Sequence, residues 1–370
     1  MNAHPSVPSS EEEAEASVRS LRRLMLLCAV VPLVLLGLFA SYRFQQVHDE
    51  AELRLDRALR IAQEHALKVM ETDETLLRHV SDLADTAGGP IAQDPALLHQ
   101  ALRALAQDKP QIRTIWVIDA EGRPVANSRT HPPVDGTWTG RDAFRWHAER
   151  RGTGNLAFSE MRPSQAGSDA VFDMSRARLG PAGEFRGIVV ISASPDYFAR
   201  FHADLSADEP GLAITMFRND GVVYSRWPAL PGAAARMSPG SPVLSRVLRG
   251  ESRGIIRGVS SLDGKPRLLL FRRVGEFPVY LGTGTEISAI RDTGLREMGM
   301  ILAFAAVPVM GLLVAAFAAM KRAAQAREAA RRLHQNPTRA ARSRKRCARP
   351  RRWKRSAASP AAWRTTSTTH

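Results

Sequence analysis

Residues 112–128 read IRTIWVIDAEGRPVANS, and this stretch decides the fold. Ile112 to Asp119 is rich in β-branched and aromatic side chains, Glu121-Gly122 supplies a turn, and Pro124 to Ser128 runs back, which is a strand–turn–strand unit. The chain around it reads as an α+β arrangement. Upstream, Asp94 to Asp108 has an acidic cap followed by proline and is expected to be a helix. Downstream come a short helix at 141–151 and strands at 156–161, 170–178 and 185–194, with a turn at Gly180-Pro181-Ala182-Gly183. Pro195-Asp196-Tyr197-Phe198 then starts a helix running to about Leu205. The pattern predicts five antiparallel strands with helices on one face. It recurs in shorter form from Leu212 to Gly284, where Asn219-Asp220-Gly221 and Asp263-Gly264 are strong hairpin signals.

Before these modules, Phe44 to Asp85 contains neither glycine nor proline. Leu55, Leu59, Ala62, Ala66, Val69, Leu76, Val80 and Leu83 recur at spacings of three and four, with Asp73 at the one polar step. That is the seam of a long helix packing on a partner. The partner is either a second copy, making the helix a stalk and a homodimer interface, or the helix's own domain.

Two charge-free runs bracket the whole segment. Leu24 to Tyr42 follows Arg19, Arg22 and Arg23; residues 299–320, GMILAFAAVPVMGLLVAAFAAM, precede Lys321 and Arg322. At about 1.5 Å per residue each covers roughly the 30 Å hydrocarbon core of a bilayer. Basic flanks stay inside, so both termini are expected in the cytoplasm and residues 44–290 outside, in the periplasm, as a two-pass protein of a bacterial inner membrane. Residues 1–18 read as a disordered lead and 321–335 as a cytoplasmic signalling helix.

The formal net charge of the 370 residues is +15. Phe44 to Glu297 holds 32 basic and 32 acidic residues, whereas Lys321 to His370 holds 16 and one. A nucleic-acid or anionic-lipid binder would rest on that tail alone. Cys28 and Cys347 are the two cysteines, so the exported segment is stabilised by burial rather than disulfides. No metal-ligand spacing, glycine-rich phosphate loop or catalytic constellation is present in the sequence, and no cofactor is expected in this chain.

TIWVIDAEGRPVANS, then GRDAFRWHAERR at 140–151, then FRGIVVISASPDYFARF at 185–201, in that order, resemble the double-Cache (PAS-like) extracytoplasmic sensors of bacterial transmembrane receptors. The resemblance implies a distal module at 110–206, a proximal module at 210–285, and small-molecule binding in the distal one. Arg141, Arg145, Trp146 and His147 on the short helix, with Ser175 and Arg176 on the facing strand, are the candidate ligand-binding residues. Converging guanidiniums suit bidentate capture of a carboxylate, with Trp146 as an apolar wall. Amino-acid-sensing members of the family pair an arginine and a tryptophan separated by one intervening residue with an aspartate late in the last strand. Here Arg145 and Trp146 are adjacent and Ser192 stands about where that aspartate falls, so a small anion such as an organic acid is expected. Several of these arginines could instead form structural pairs with Asp142, Glu160 or Asp173.

The tail, residues 336–370, carries a second message. Taking the last base of each codon with the first two of the next, and choosing synonymous codons, Lys345 to Thr369 can be reread as EALRQAEEMEAIGRLTGGVAHDFNN. Trp353 before Lys354 forces a glutamate, for instance. The string resembles the dimerisation and phosphoacceptor helix of a sensor histidine kinase. On this reading the parent gene encodes the receptor of a two-component system, with ATP, magnesium and a response regulator serving a kinase core that a frameshift has removed. A chemoreceptor or diguanylate cyclase can carry the same sensor, but the reread string favours neither. Sequencing the gene through codon 370 and beyond is expected to show the shifted frame continuing into kinase sequence; a closed shifted frame would refute the reading.

Overall fold

The computed structural model describes residues 10–86, 89–134, 136–150, 156–163, 170–209, 211–230 and 236–334. The basic tail at 336–370 and the first nine residues of the lead lie outside them. The chain divides into two units, residues 1–38 with 301–370, and residues 39–300.

The first unit contains the start of helix α1 (Ser10–Asp85) and the end of helix α7 (Ile287–His334). Two helices here are long and apolar enough to cross a membrane. Their apolar side chains face outward, with Leu33 64% and Val307 74% exposed, so neither run is a soluble core helix. Residues 10–18, expected in the disordered lead, are helical instead. Pro32 and Pro308 lie inside their helices without ending them.

The second unit is built on two antiparallel sheets. In the distal sheet β1 (Ile112–Ile118), β2 (Pro124–Asn127), β3 (Leu156–Phe158), β5 (Ala170–Leu179) and β6 (Phe185–Ala193) run in the order β2-β1-β6-β5-β3, and β4 (Arg162–Pro163) pairs with the end of β5. In the proximal sheet β7 (Ala213–Arg218), β8 (Val223–Trp227), β9 (Arg253–Val259), β10 (Pro266–Arg273) and β11 (Val279–Glu286) run in the order β8-β7-β11-β10-β9. Leaving aside β4, the two orders are the same, so the modules share one topology.

Helices cover both faces of each sheet rather than one. Helix α1 backs the two sheets together, joined at the distal one by α3 (Pro95–Ala106), whose first turn is capped by Asp94 accepting from the Ala96 amide at 2.8 Å. A single turn, α2 (Pro90–Gln93), precedes it. On the opposite faces, α4 (Asp142–Glu149) packs Ala143 and Phe144 on Trp116, Ile118 and Val190, and α6 (Pro242–Leu248) packs Leu244 and Val247 on Phe217 and Phe271. Helix α5 (Pro195–Ser206) links the modules. The second face of each sheet was hidden in the sequence because its strands are apolar on both sides, as in β6, where Ile188 to Ala193 are all buried.

The expected seam of α1 is real, and its partner is the domain itself. Leu55, Leu59, Ala62, Ala66, Val69, Leu76 and Val80 are buried in one core with Ile115, Val117, Met174, Met216 and Leu281 of the two sheets. Those seam residues are therefore covered by the domain's own sheets. Asp73, at the polar step, is only 3% exposed and faces Gln111 Nε2 at 3.5 Å. Burial pushes its carboxyl up to about 7, against the weaker pull of Gln111 and Lys109. The folded state thus holds this proton where the unfolded chain has lost it, and stability from Asp73 falls as pH rises from about 4 through 7. Asp73→Asn is expected to raise the melting temperature at pH 8, by the equivalent of roughly 1–3 kcal/mol, and to change little at pH 4. Thermal unfolding at the two pH values checks the sign.

Candidate ligand-binding site

Register and alternation place the site. Asp173 on β5 lies opposite Ser192 on β6, and Ser192 is opposite Thr114 on β1. Side chains two apart share a face, so Asp173, Ser175 and Ser192 look toward α4 with Trp116. Arg162 on β4 closes over them. Its Nε and Nη2 donate to the two oxygens of Asp173, each at 2.7 Å, and Nη2 also donates to Ser192 Oγ at 3.1 Å. Ser192 Oγ donates to Asp173 Oδ1 at 2.7 Å. The Asp173 carboxylate, 2% exposed, is therefore fully engaged.

Trp138 forms the wall of this cluster. Its amide donates to Gly122 O at 2.8 Å, and its buried ring lies 5.5 Å from that of Trp116. Both guanidiniums lie over the Trp138 ring, Arg141 at 4.0 Å and Arg162 at 5.5 Å from its centroid. Arg141 is the N-cap residue of α4, and its side chain caps nothing. Its Nη1 is buried with no hydrogen-bond partner among the described residues. Desolvation, and after it the charge of Arg162, lowers the Arg141 pKa; Asp173 opposes this. Two guanidiniums and one carboxylate carry a formal charge of +1, and the unmet donor is on Arg141.

Of the six residues expected to line a pocket, Arg141 alone joins this cluster. Arg145 points to solvent, with its side chain 57% exposed, and pairs with Asp142 at 2.6 Å. Trp146 is half-buried in a groove with Ala157, Phe158 and Arg218, and Arg150 stacks on it at 4.8 Å. His147 is buried and its Nε2 meets Ser175 Oγ at 3.1 Å. Burial pushes the imidazole down to about 4, so it is neutral at ordinary pH. Arg176 lies on the opposite face of β5 from Ser175, the face on which Arg178 reaches Asp85 of α1 at 2.5 Å. Trp138 and Arg162 had no sequence signal, since one sits in a glycine- and proline-rich loop and the other on a strand of two residues. Glu160 pairs not with these arginines but with Arg218 and Arg236 of the proximal module.

The comparisons agree with this architecture. A family model, dCache_1_like, described as a histidine kinase sensor domain, matches residues 195–284. The extracellular domain of rpHK1S-Z16, a protein described as a histidine kinase, superposes with a TM-score of 0.57 at 23% identity over 65% of this chain and 97% of that one. The ligand-binding domains of the Campylobacter jejuni chemoreceptor Tlp3 with L-norvaline (TM-score 0.47, 12% identity, 66% and 94% covered) and of the Pseudomonas aeruginosa chemoreceptor PctB with L-Arg (0.47, 16%, 65% and 97%) are also similar. No curated protein matches the chain in sequence. Residues 195–284 thus match a dCache_1-like sensor-domain model, the second unit shares its fold with the rpHK1S-Z16 extracellular domain, and a candidate membrane helix flanks it on either side.

Arg162→Ala is expected to cost about 3 kcal/mol, because it leaves the buried Asp173 carboxylate without its bidentate partner. Arg145→Ala should stay within about 0.5 kcal/mol. Denaturant unfolding of the two variants separates them.

Proposed function

We propose that this chain is the membrane-bound input half of a two-component signalling system, and that its distal module binds a small monoanionic organic acid at Arg141. The observation that carries the ligand class is the unpartnered, buried Arg141 Nη1 above Trp138, in a cluster of formal charge +1. A single carboxylate neutralises that charge and accepts from Nη1, while the indole offers its apolar tail a surface. An amino acid fits less well. Its ammonium would need an acid, and Asp173 is already held by Arg162 and Ser192.

Arg19, Arg22 and Arg23 before the first run, and Lys321 and Arg322 after the second, favour cytoplasmic termini and a periplasmic sensor in the inner membrane. The reread codons of Lys345 to Thr369 favour a histidine kinase parent over a chemoreceptor or cyclase. In that parent, ligand binding would bias two arrangements of the helices that enter the membrane.

Titrating the full chain in detergent with lactate, pyruvate and acetate, beside alanine and serine, tests the ligand. Saturable binding of at least one organic acid is expected, weakened about 10- to 100-fold by Arg141→Ala and unchanged by Arg145→Ala. Organic-acid binding that survives Arg141→Ala overturns the assignment.

A further inference from the structure

The proximal module has a cavity at the place in its sheet that the arginine cluster occupies in the distal one. Strands β7, β11 and β10 stand where β1, β6 and β5 stand, and the cavity, about 40 Å³, opens on their α6 side. Its polar lining includes Thr215, Arg226, Ser241, Ser260 and Arg267. Gly282 keeps it open, since β11 presents no side chain there.

Arg226 is nine-tenths buried; its Nη1 donates to Thr215 Oγ1 and its Nη2 to Asp263 Oδ2, both at 3.0 Å. Its Nε is buried and has no partner among the described residues. Arg267, 7% exposed, shares Asp263 with it, donating from Nε at 3.0 Å. Glu286 lies beyond, accepting from Lys265 Nζ at 2.6 Å and from Arg267 Nη2 at 3.3 Å. With Glu286 matched by Lys265, Arg226, Arg267 and Asp263 leave a formal +1 beside the cavity. A buried donor and a buried positive charge are each costly when unmet, and one small anion meets both.

We propose that this cavity is a second binding site, for a carboxylate of formate or acetate size, received by Arg226 and the surrounding hydroxyls. It is independent of the distal site: it uses none of that site's residues. The volume exceeds the 10–15 Å³ or so that one water needs and excludes an aromatic acid.

The test uses the full chain in detergent carrying Arg141→Ala, so that the distal cluster is silenced, and follows the melting temperature against sodium formate, acetate and benzoate at constant ionic strength. Formate and acetate are expected to give a saturable rise and benzoate none. Adding Gly282→Ala should abolish the rise; its new methyl meets Phe217 and the Leu270 carbonyl at 3.6 Å, ordinary contact, so the fold is kept while the cavity fills. Adding Arg226→Gln should raise the half-saturating concentration about tenfold or more. The proposal fails if Arg141→Ala alone removes a response that the unaltered chain shows. It fails equally if benzoate matches acetate, if no saturable rise occurs, or if the rise persists with Gly282→Ala. Should Gly282→Ala not fold, benzoate exclusion and Arg226→Gln decide.

Discussion

One apolar stripe holds the sensor together. From Leu55 to Val80, α1 lays a row of leucine, valine and alanine across the inner faces of two separate sheets. With both cysteines outside this unit, burial has to supply the cohesion. Polar ties then fix where along the helix each sheet sits. Asp85 meets Arg178 of the distal sheet at 2.5 Å, Asp56 meets Arg272 of the proximal sheet at 2.9 Å, and Thr283 donates to the Leu55 carbonyl at 3.2 Å. The small residues Ala58, Ala62 and Ala66 let strands approach the helix closely. The outer face carries Arg57, Glu64, Lys68 and Glu71, as a solvated surface should.

The two modules reuse one electrostatic plan. In each, a carboxylate deep on the α4 or α6 side is shared out by arginine, Asp173 by Arg162 and Asp263 by Arg226 and Arg267. Burying an ion pair does little for stability by itself, because desolvation cancels much of the attraction. Its value here is positional. A held carboxylate orients the arginines around it, and among the described residues Arg141 Nη1 in the distal module and Arg226 Nε in the proximal one have no hydrogen-bond partner.

Much of the fold could be read from the sequence because its punctuation is local. Glu121-Gly122, Asn219-Asp220-Gly221 and Asp263-Gly264 mark hairpins wherever they occur, and Asp94-Pro95 opens a helix by capping chemistry alone. The stripe on α1 was legible too, but a stripe does not say what it touches, and the domain took the surface that a second copy could have used. The site was harder. Arg141 was found by its place at the start of a helix, whereas Arg162 came from a strand too short to show a period and reaches Asp173 only through the fold. Arg176 could have been set aside from the start, since neighbours on a strand face opposite ways and Ser175 already faced α4.

The last strand of the proximal sheet ends at Glu286 and α7 begins at Ile287, with no loop between. Each residue of an α-helix advances it by about 100°. A single insertion or deletion at this junction would turn the first turns of α7 by that angle and carry Ile290 out of the core it shares with α1. Length changes are harmless in surface turns such as the one at Gly183; here the chain is geared, and its count of residues sets an azimuth.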